Sequence, residues 1–194
     1  MLSAASCLEW AAKLVGEADV ASLLASAEQS TGEAPIFLPY LTGERTPHAN
    51  PHAQAVFFGM TSVTGGGEVA RAVIDGVAMG LRDGLDTITG AGSSVASLTV
   101  AGGGSRSLYW GRILAGALNV PLVYRAGGDV GPAYGAARLA MAGSGEVSPE
   151  DAFAPPPVIA TVEPEPDLVA YFNSRQPRFR EIYRQLAPSF GGLQ

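Results

Sequence analysis

Two periods of hydrophobic residues alternate along the chain, and together they predict a layered α/β fold. Between Glu68 and Ile88 the apolar side chains fall on one face at helical spacing, which predicts a long amphipathic helix. Short apolar runs predict strands at "PIFLPY", "AVFFG" and "VPLVY" and a buried strand at Leu98–Ala101. Alternation of helices with strands is typical of α/β proteins.

Further helices are predicted before, between and after these strands. The first is capped by Ser3, carries Leu8, Ala11, Ala12 and Leu14, and ends at Gly16. The others are Val20–Gln29, Ser107–Leu118, Gly131–Ala142 and Asp167–Ala187. Pro177 lies inside the last of these, and we expect it to kink or break that helix. The segment "APPPVIATVEPEPD" predicts an extended crossing without periodicity.

Composition excludes several classes of function. The 194 residues carry a formal net charge of -6, which argues against binding to nucleic acid or to an anionic membrane surface. The single cysteine, Cys7, excludes a disulfide scaffold and fits a reducing cytoplasm. No apolar run is long enough to span a bilayer, and the N-terminal stretch lacks the basic start of a signal peptide.

The glycine turn after the predicted strand Leu98–Ala101 is the strongest candidate binding element. Gly102, Gly103, Gly104 and Ser105 let a ligand approach the backbone closely, because glycine has no Cβ atom. The helix that begins at Ser107 turns its positive end toward the same place. The stretch fits a nucleotide site and equally fits a tight turn with nothing bound, and both interpretations stay open at this point.

A dinucleotide-binding interpretation, with an NADP-dependent oxidoreductase as its consequence, fits less well. Arg125 ends the next predicted strand and suits a 2′-phosphate. The spacing G-x-G-x-x-G fails, however, because Ser105 and Ser107 stand where the third glycine is needed. A second mononucleotide-binding half is also absent from the sequence pattern.

Other motifs favour structural roles. Gly76, Gly80 and Gly84 recur every fourth residue on the long helix and predict a close crossing with another helix. The glycine-rich entry Gly131–Ala137 predicts close helix packing. Glu44 and Arg45 in "GERTP" fit either a loop-fixing ion pair or a site role. A solvated helix face is expected for Arg175, Arg178, Arg180 and Arg184.

Several of these segments together resemble the FGGY carbohydrate kinases. The segments occur in the family's order and spacing: "FLPYLTGERTPHANP", "AVFFGMT", "EVARAVIDGVAMGL", "VAGGGSRSLYW" and "GGDVGPAYGAARLA". The resemblance covers nearly the whole chain and implies an actin-like ATPase (ribonuclease H-like) domain. It divides the domain into an N-terminally incomplete nucleotide-binding part, residues 1–153, and a proline-rich crossing segment with the last helix, residues 154–194.

The resemblance implies ATP with Mg²⁺ as cofactor. Gly102, Gly103, Gly104, Ser105 and Ser107 would form the adenosine motif, with Gly103 near the α-phosphate and Ser107 near the adenine. The turn Thr61–Gly67 would face the outer phosphates, and Gly131–Ala137 resembles a connecting helix that supports interdomain motion. Catalysis of phosphoryl transfer is mostly positioning and charge stabilisation. The resemblance therefore implies that these turns contribute by positioning the nucleotide.

The chain departs from the family in what it lacks. In members of the family, the catalytic aspartate, a phosphate-binding hairpin and the sugar-binding domain precede the part that Met1 begins. We therefore assign no catalytic and no metal-binding residue, and we expect an incomplete sheet with an exposed edge or apolar patch.

The resemblance thus implies the C-terminal part of an ATP-dependent ketose kinase, inactive alone. A non-catalytic remnant that serves as a binding or assembly module is the alternative. The expected partners are ATP and ADP, with sugar bound only through the missing N-terminal domain. Formation of a homo-oligomer stays open, and the expected location is the cytoplasm.

Overall fold

Helices and strands alternate in the computed structural model, which describes residues 2–191. The helices are α1 (Ala5–Val15), α2 (Val20–Gln29), α3 (Gly66–Gly90), α4 (Leu108–Leu118), α5 (Pro132–Ser144), α6 (Pro149–Phe153) and α7 (Pro166–Leu186). The strands are β1 (Ile36–Leu38), β2 (Val56–Phe58), β3 (Leu98–Val100), β4 (Leu122–Arg125) and β5 (Val158–Val162). The predicted α/β class is confirmed, and every predicted helix and strand is present within a few residues of its expected bounds.

The strands form two small sheets. The antiparallel pair β1–β2 places Ile36 opposite Phe58. In the second sheet the order is β3-β4-β5, with β3 parallel and β5 antiparallel to β4. Strand β5 lies in the proline-rich segment that was predicted as an extended crossing, so the segment is extended but also completes a sheet. Within residues 2–191, β3 has a strand neighbour on one side only, as the expectation of an exposed sheet edge requires.

Helix α3 lies at the centre of the hydrophobic core. Its apolar face is buried against α1, α2, α4 and β1, and α7 contacts it from the other end of the chain. The largest buried side chains around it come from β1, from the residues just after β1 and from α7: Phe37, Tyr40, Phe172 and Phe179. Burial of these apolar faces stabilises the helices far more than their intrinsic propensity does.

Two predictions about helix ends and strands are wrong in detail. Helix α1 begins after Ala4 without a side-chain cap, and the Ser3 hydroxyl instead lies 2.9 Å from the Thr42 hydroxyl. Gly16 does end the helix in the left-handed conformation, at φ 80°. Strand β3 is only half buried, because it lies at the edge of its sheet.

Pro177 does not break the last helix. Helix α7 runs without interruption from Pro166 to Leu186 with Pro177 inside it. Phe179 and Ile182 follow Pro177 and are buried in the core. Their burial holds the second half of the helix in place although the proline removes one backbone donor.

The glycine repeat on α3 has a different neighbour from the predicted one. A Cβ atom on Gly76 would lie 2.3 Å from the carbonyl oxygen of Phe37, so this glycine packs against strand β1 and not against a helix. A Cβ atom on Gly84 would meet nothing within 4 Å, so the repeat is not one continuous contact surface. Helical period alone could not reveal that a strand crosses at Gly76.

Two of the four arginines near the C-terminus are not part of a solvated face. Arg175 donates to the carbonyl oxygens of Ala34 and Pro35, which ties α7 to the start of β1. Arg180 pairs with Asp83 and Asp86 of α3. The remaining two, Arg178 and Arg184, are exposed as expected.

Helix α5 lies on the surface with all its side chains at least partly exposed. Its Gly135 faces open space, so the close backbone packing predicted for Gly131–Ala137 is absent there. Leu139 and Met141 are exposed, which agrees with the expected apolar patch. Within residues 2–191, no helix combines the length and hydrophobicity needed to cross a bilayer.

Candidate functional site

A cavity of about 610 Å³ opens beside the glycine turn that follows β3. Gly103, Gly104 and Ser107 line one wall, together with Arg106 and Trp110. Helices α1 and α2 form the opposite wall. The structure therefore places three of the five residues predicted to bind the cofactor at one cavity.

The other two predicted residues, Gly102 and Ser105, shape the turn without lining the cavity. Gly102 has φ 79°, a conformation that glycine adopts at little cost, and its N–H donates to the Gly128 carbonyl oxygen at 2.7 Å. Its own carbonyl oxygen accepts from the Ser105 hydroxyl at 2.8 Å. These bonds turn the chain into a short 3₁₀ segment, Gly103–Arg106, that carries the backbone past the cavity.

Gly103 is an open position of the turn whose backbone conformation also suits other residues. A Cβ atom built on it would meet no atom within 4 Å, and its φ is not in the left-handed region. Gly103 also lines the cavity, so a side chain can be added beside the cavity without a clash at its Cβ atom. This combination makes the position a clean probe of binding.

Ser107 caps helix α4 beside the same cavity. Its hydroxyl oxygen accepts from the backbone N–H of Trp110 at 3.1 Å, which satisfies one free donor at the helix N-terminus. Two glycines further along let α4 pack closely: a Cβ atom would lie 2.0 Å from the Tyr124 hydroxyl at Gly111 and 2.5 Å from Leu168 at Gly116. The turn is thus fixed to a buried helix.

Sequence reasoning missed the second wall of the cavity. Leu8 and Ala12 of α1 are buried and give this wall an apolar surface, and Val20 and Leu24 of α2 extend it. Lys13 is exposed beside this wall. About ninety residues separate α1 from the glycine turn, so no local pattern could signal that the two elements share a cavity.

The turn Thr61–Gly67, expected to face the outer phosphates, is held by Glu68. One carboxylate oxygen accepts from the Ser30 hydroxyl and the other from the Gly65 N–H, each at 2.9 Å. These hydrogen bonds, first that from Ser30 and then that from Gly65, lower the pKa of Glu68. Thr61, Thr64 and Glu68 line a second cavity of about 460 Å³.

Two further candidates serve the structure. Glu44 is buried, and its Oε1 accepts from the backbone N–H groups of Arg45 at 2.7 Å and Thr46 at 3.3 Å, so it fixes the loop through the backbone. Arg125 donates to the Pro156 carbonyl oxygen at 2.7 Å, so its guanidinium group binds the segment that precedes β5. This hydrogen bond weakens the dinucleotide interpretation, in which Arg125 would bind a 2′-phosphate.

No cluster of three or more His, Cys, Asp or Glu residues in the described part of the chain is placed to hold a metal ion.

The fold is that of the actin-like ATPase class, which this chain shares with the sugar kinases that it resembles in structure. Residues 2–144 match the sequence profile of the C-terminal domain of the FGGY family of carbohydrate kinases, and the chain belongs to that family. This confirms the resemblance seen in the sequence. Kinases of this family use ATP.

Relatives within the family agree with this assignment. Over 97% of the present chain, the sequence is 49% identical to the xylulose kinase of Escherichia coli strain K12. It is similar to crystal structures of a "xyloylose kinase" from Brucella ovis, with 38% identity, and of a ligand-bound xylulose kinase from Lactobacillus acidophilus, with 27% identity. The TM-scores are 0.85 and 0.84, with 97% and 99% of this chain covered.

The chain spans about 40% of the length of these relatives: 40% of the Escherichia coli protein, 39% of the Brucella chain and 40% of the Lactobacillus chain. The expectation that the sequence resembles the C-terminal part of longer proteins is confirmed by this share and by the matching domain. The division into residues 1–153 and 154–194 stays a prediction.

Proposed function

We propose that this chain is the C-terminal, nucleotide-binding part of an ATP-dependent xylulose kinase. The complete reaction transfers the γ-phosphoryl group of ATP to a hydroxyl group of D-xylulose and yields D-xylulose 5-phosphate and ADP. The proposal of this sugar rests on the names of the relatives and on the motifs quoted above. The chain's own contribution is to bind and orient the nucleotide.

The observation that supports this proposal is the cavity between the glycine turn and helices α1 and α2. Its volume of about 610 Å³ falls in the range of small-molecule sites. One wall offers glycine backbone and the N-terminus of α4. The other wall combines an apolar surface with the charged residues Glu9, Lys13, Glu17 and Asp19. Backbone N–H groups suit a phosphate and apolar walls suit a heterocyclic base, so the cavity fits the adenosine side of ATP.

In the proposed enzyme, Gly103 lies near the α-phosphate and Ser107 near the adenine, while Thr61–Gly67 faces the outer phosphates. Mg²⁺ on the phosphates of ATP would supply positive charge that offsets the phosphate charge, and no described residue of this chain is assigned to hold it. Catalysis then depends on positioning: a rigid turn on a buried helix holds the adenosine, so the γ-phosphoryl group is presented at a constant place. No residue of this chain is assigned as the general base.

The proposal is tested by equilibrium titration of the 194-residue chain with AMP, ADP and ATP. We expect weak binding with similar affinities for the three nucleotides, because the hairpin that binds the outer phosphates in relatives is not among the segments matched here. Gly103→Val should abolish this binding while circular dichroism shows an unchanged fold. The matched control is Gly135→Val, which also adds a side chain in open space but lies on α5, away from the cavity.

Two results would overturn the proposal. If the wild-type chain binds none of the three nucleotides, the cavity is not a nucleotide site. If folded Gly103→Val binds as well as the wild type does, the nucleotide is held elsewhere and the glycines form only a turn.

A further inference from the structure

Arg106 lies where the glycine turn meets the candidate nucleotide cavity. It is the last residue of the 3₁₀ segment Gly103–Arg106, and it lines the cavity together with Gly103 and Gly104. Its side chain is 72% exposed, and its Nη2 lies 3.9 Å from a carboxylate oxygen of Asp129. Among the residues that the structure describes, none accepts a hydrogen bond from this guanidinium group. Its N–H donors are therefore available to a ligand.

The pair between Arg106 and Asp129 is a weak one. At 3.9 Å the two atoms are farther apart than a hydrogen bond allows. The Asp129 side chain is also 52% exposed, so water and salt screen the attraction between the two charges. A second anion that binds closer to the guanidinium group can therefore replace Asp129.

The charges around the cavity favour a phosphate on the side of the glycine turn. The opposite wall carries the carboxylates of Glu9, Glu17 and Asp19. Lys13 is the one cation among them, so this wall is negative overall and repels a phosphate. The described residues of the wall that the turn forms include no acid, and Arg106 is their one cation. A phosphate placed at the turn therefore meets Arg106.

We propose that Arg106 exchanges Asp129 for the α-phosphate of the bound nucleotide, an inference that rests on the function proposed above. A guanidinium group donates two parallel hydrogen bonds to phosphate oxygens, and such charge-assisted bonds are stronger than an exposed ion pair. Gly103, which the proposed function places near the α-phosphate, begins the same short segment that Arg106 ends. The turn thus supplies both the close backbone approach and the positive charge.

The test compares AMP with adenosine, which has the same base and ribose but no phosphate. Equilibrium dialysis at one constant ionic strength measures both affinities, and circular dichroism confirms that each variant folds. Arg106→Gln should weaken the binding of AMP roughly 5–20-fold, as expected for the loss of charge-assisted hydrogen bonds. The same variant should change the affinity for adenosine less than about 2-fold, because adenosine offers Arg106 no anion.

Asp129→Asn tests the exchange itself. This variant removes the competing carboxylate, so it should bind AMP about 2–5-fold more tightly than the wild type does. The gain should disappear when Asp129→Asn is combined with Arg106→Gln, since the two residues then act through one contact and their effects are not additive. A gain of the same size in the combined variant would show that Asp129 acts without Arg106 and would overturn the exchange.

Lys13→Gln separates a direct contact from a general attraction of charges. It removes the same charge as Arg106→Gln from the opposite wall of the cavity. Its loss of AMP affinity should be clearly smaller, because Lys13 lies among carboxylates that keep a phosphate away. Equal losses in the two variants would mean that AMP responds only to the net charge of the cavity, and the inference would be wrong.

The outcomes also separate this inference from the proposed function. If the wild-type chain binds AMP and adenosine equally well, or if folded Arg106→Gln binds AMP as the wild type does, this inference is wrong and the proposed function stands. If the wild-type chain binds no adenine nucleotide, both are wrong.

Discussion

Gly76 of α3 lies against the backbone of Phe37 of β1, so closely that a Cβ atom on Gly76 would stand 2.3 Å from the Phe37 carbonyl oxygen. Both residues are fully buried, and the contact joins the central helix to the first strand. A carbonyl group in a strand cannot move aside as a flexible side chain can. The absence of a side chain at residue 76 is therefore a condition for this packing.

Gly76→Ala should lower the free energy of unfolding by about 1–3 kcal/mol, because overpacking the contact outweighs the gain in helix propensity. The matched control is Gly84→Ala on the same helix, where a Cβ atom meets nothing within 4 Å. That variant should be as stable as the wild type or up to about 1 kcal/mol more stable. Urea denaturation measures both values, and equal midpoints for the two variants would show that the contact is not as close as described.

Arg180 and Arg184 offer a second matched pair on α7. The Arg180 Nε lies 2.6 Å from the Asp83 carboxylate, which also accepts from Gln176 at 2.8 Å and is nearly inaccessible to water. Arg180→Ala should cost about 1–3 kcal/mol of unfolding free energy, because it leaves this buried carboxylate without a cation. Arg184 pairs with the neighbouring Glu181 at the surface, so Arg184→Ala should cost less than about 1 kcal/mol. Similar losses in both variants would contradict a special role for the Asp83 pair.

The pH dependence of stability should have opposite signs at Glu68 and Asp83. Hydrogen bonds from Ser30 and Gly65 lower the pKa of Glu68 from its ordinary value of 4.5, so its contribution is present above that pH and is lost as the pH falls through the folded-state pKa. The stability difference between wild type and Glu68→Gln should therefore shrink on acidification. Denaturation series between neutral and acidic pH measure it.

Burial raises the pKa of Asp83 above its ordinary value of 3.8, although Arg180 and Gln176 oppose the shift. The folded chain then binds this proton more tightly than the unfolded chain does. The stability of the wild type relative to Asp83→Asn should fall as the pH rises from 3.8 through the folded-state pKa. A difference that rises with pH would mean that the arginine dominates over burial.

The isolated chain should not phosphorylate xylulose. In the proposed enzyme the general base lies in the part of the relatives that this chain does not span, and loss of a positioned base typically costs roughly 10²–10⁴-fold in rate. A coupled assay for ADP, with and without D-xylulose, should show no sugar-dependent signal from the pure chain. Robust sugar-dependent release of ADP would place a complete active site within these residues.

Several elements follow from the sequence alone because their causes are local. Helix α2 occupies the predicted residues Val20–Gln29, and the predicted helix Glu68–Ile88 lies within α3. Both could be predicted because a helical period depends only on residues that are close together in the sequence. Gly16 ends α1 as expected, because only the chain's own backbone conformation decides whether glycine is needed there. The five quoted segments, taken together in their order and spacing, likewise identify the family without knowledge of any contact.

Tertiary structure decided which distant residues meet. Strand β5 pairs with β4, Gly76 meets a strand and Arg175 bonds to Ala34 across 141 positions of the chain, none of which a local period can encode. The same holds for the candidate site, where α1 and α2 supply the wall that faces the glycine turn. Such contacts depend on the simultaneous packing of all the helices around α3, because a buried side chain takes its neighbours from whichever elements fill the remaining space.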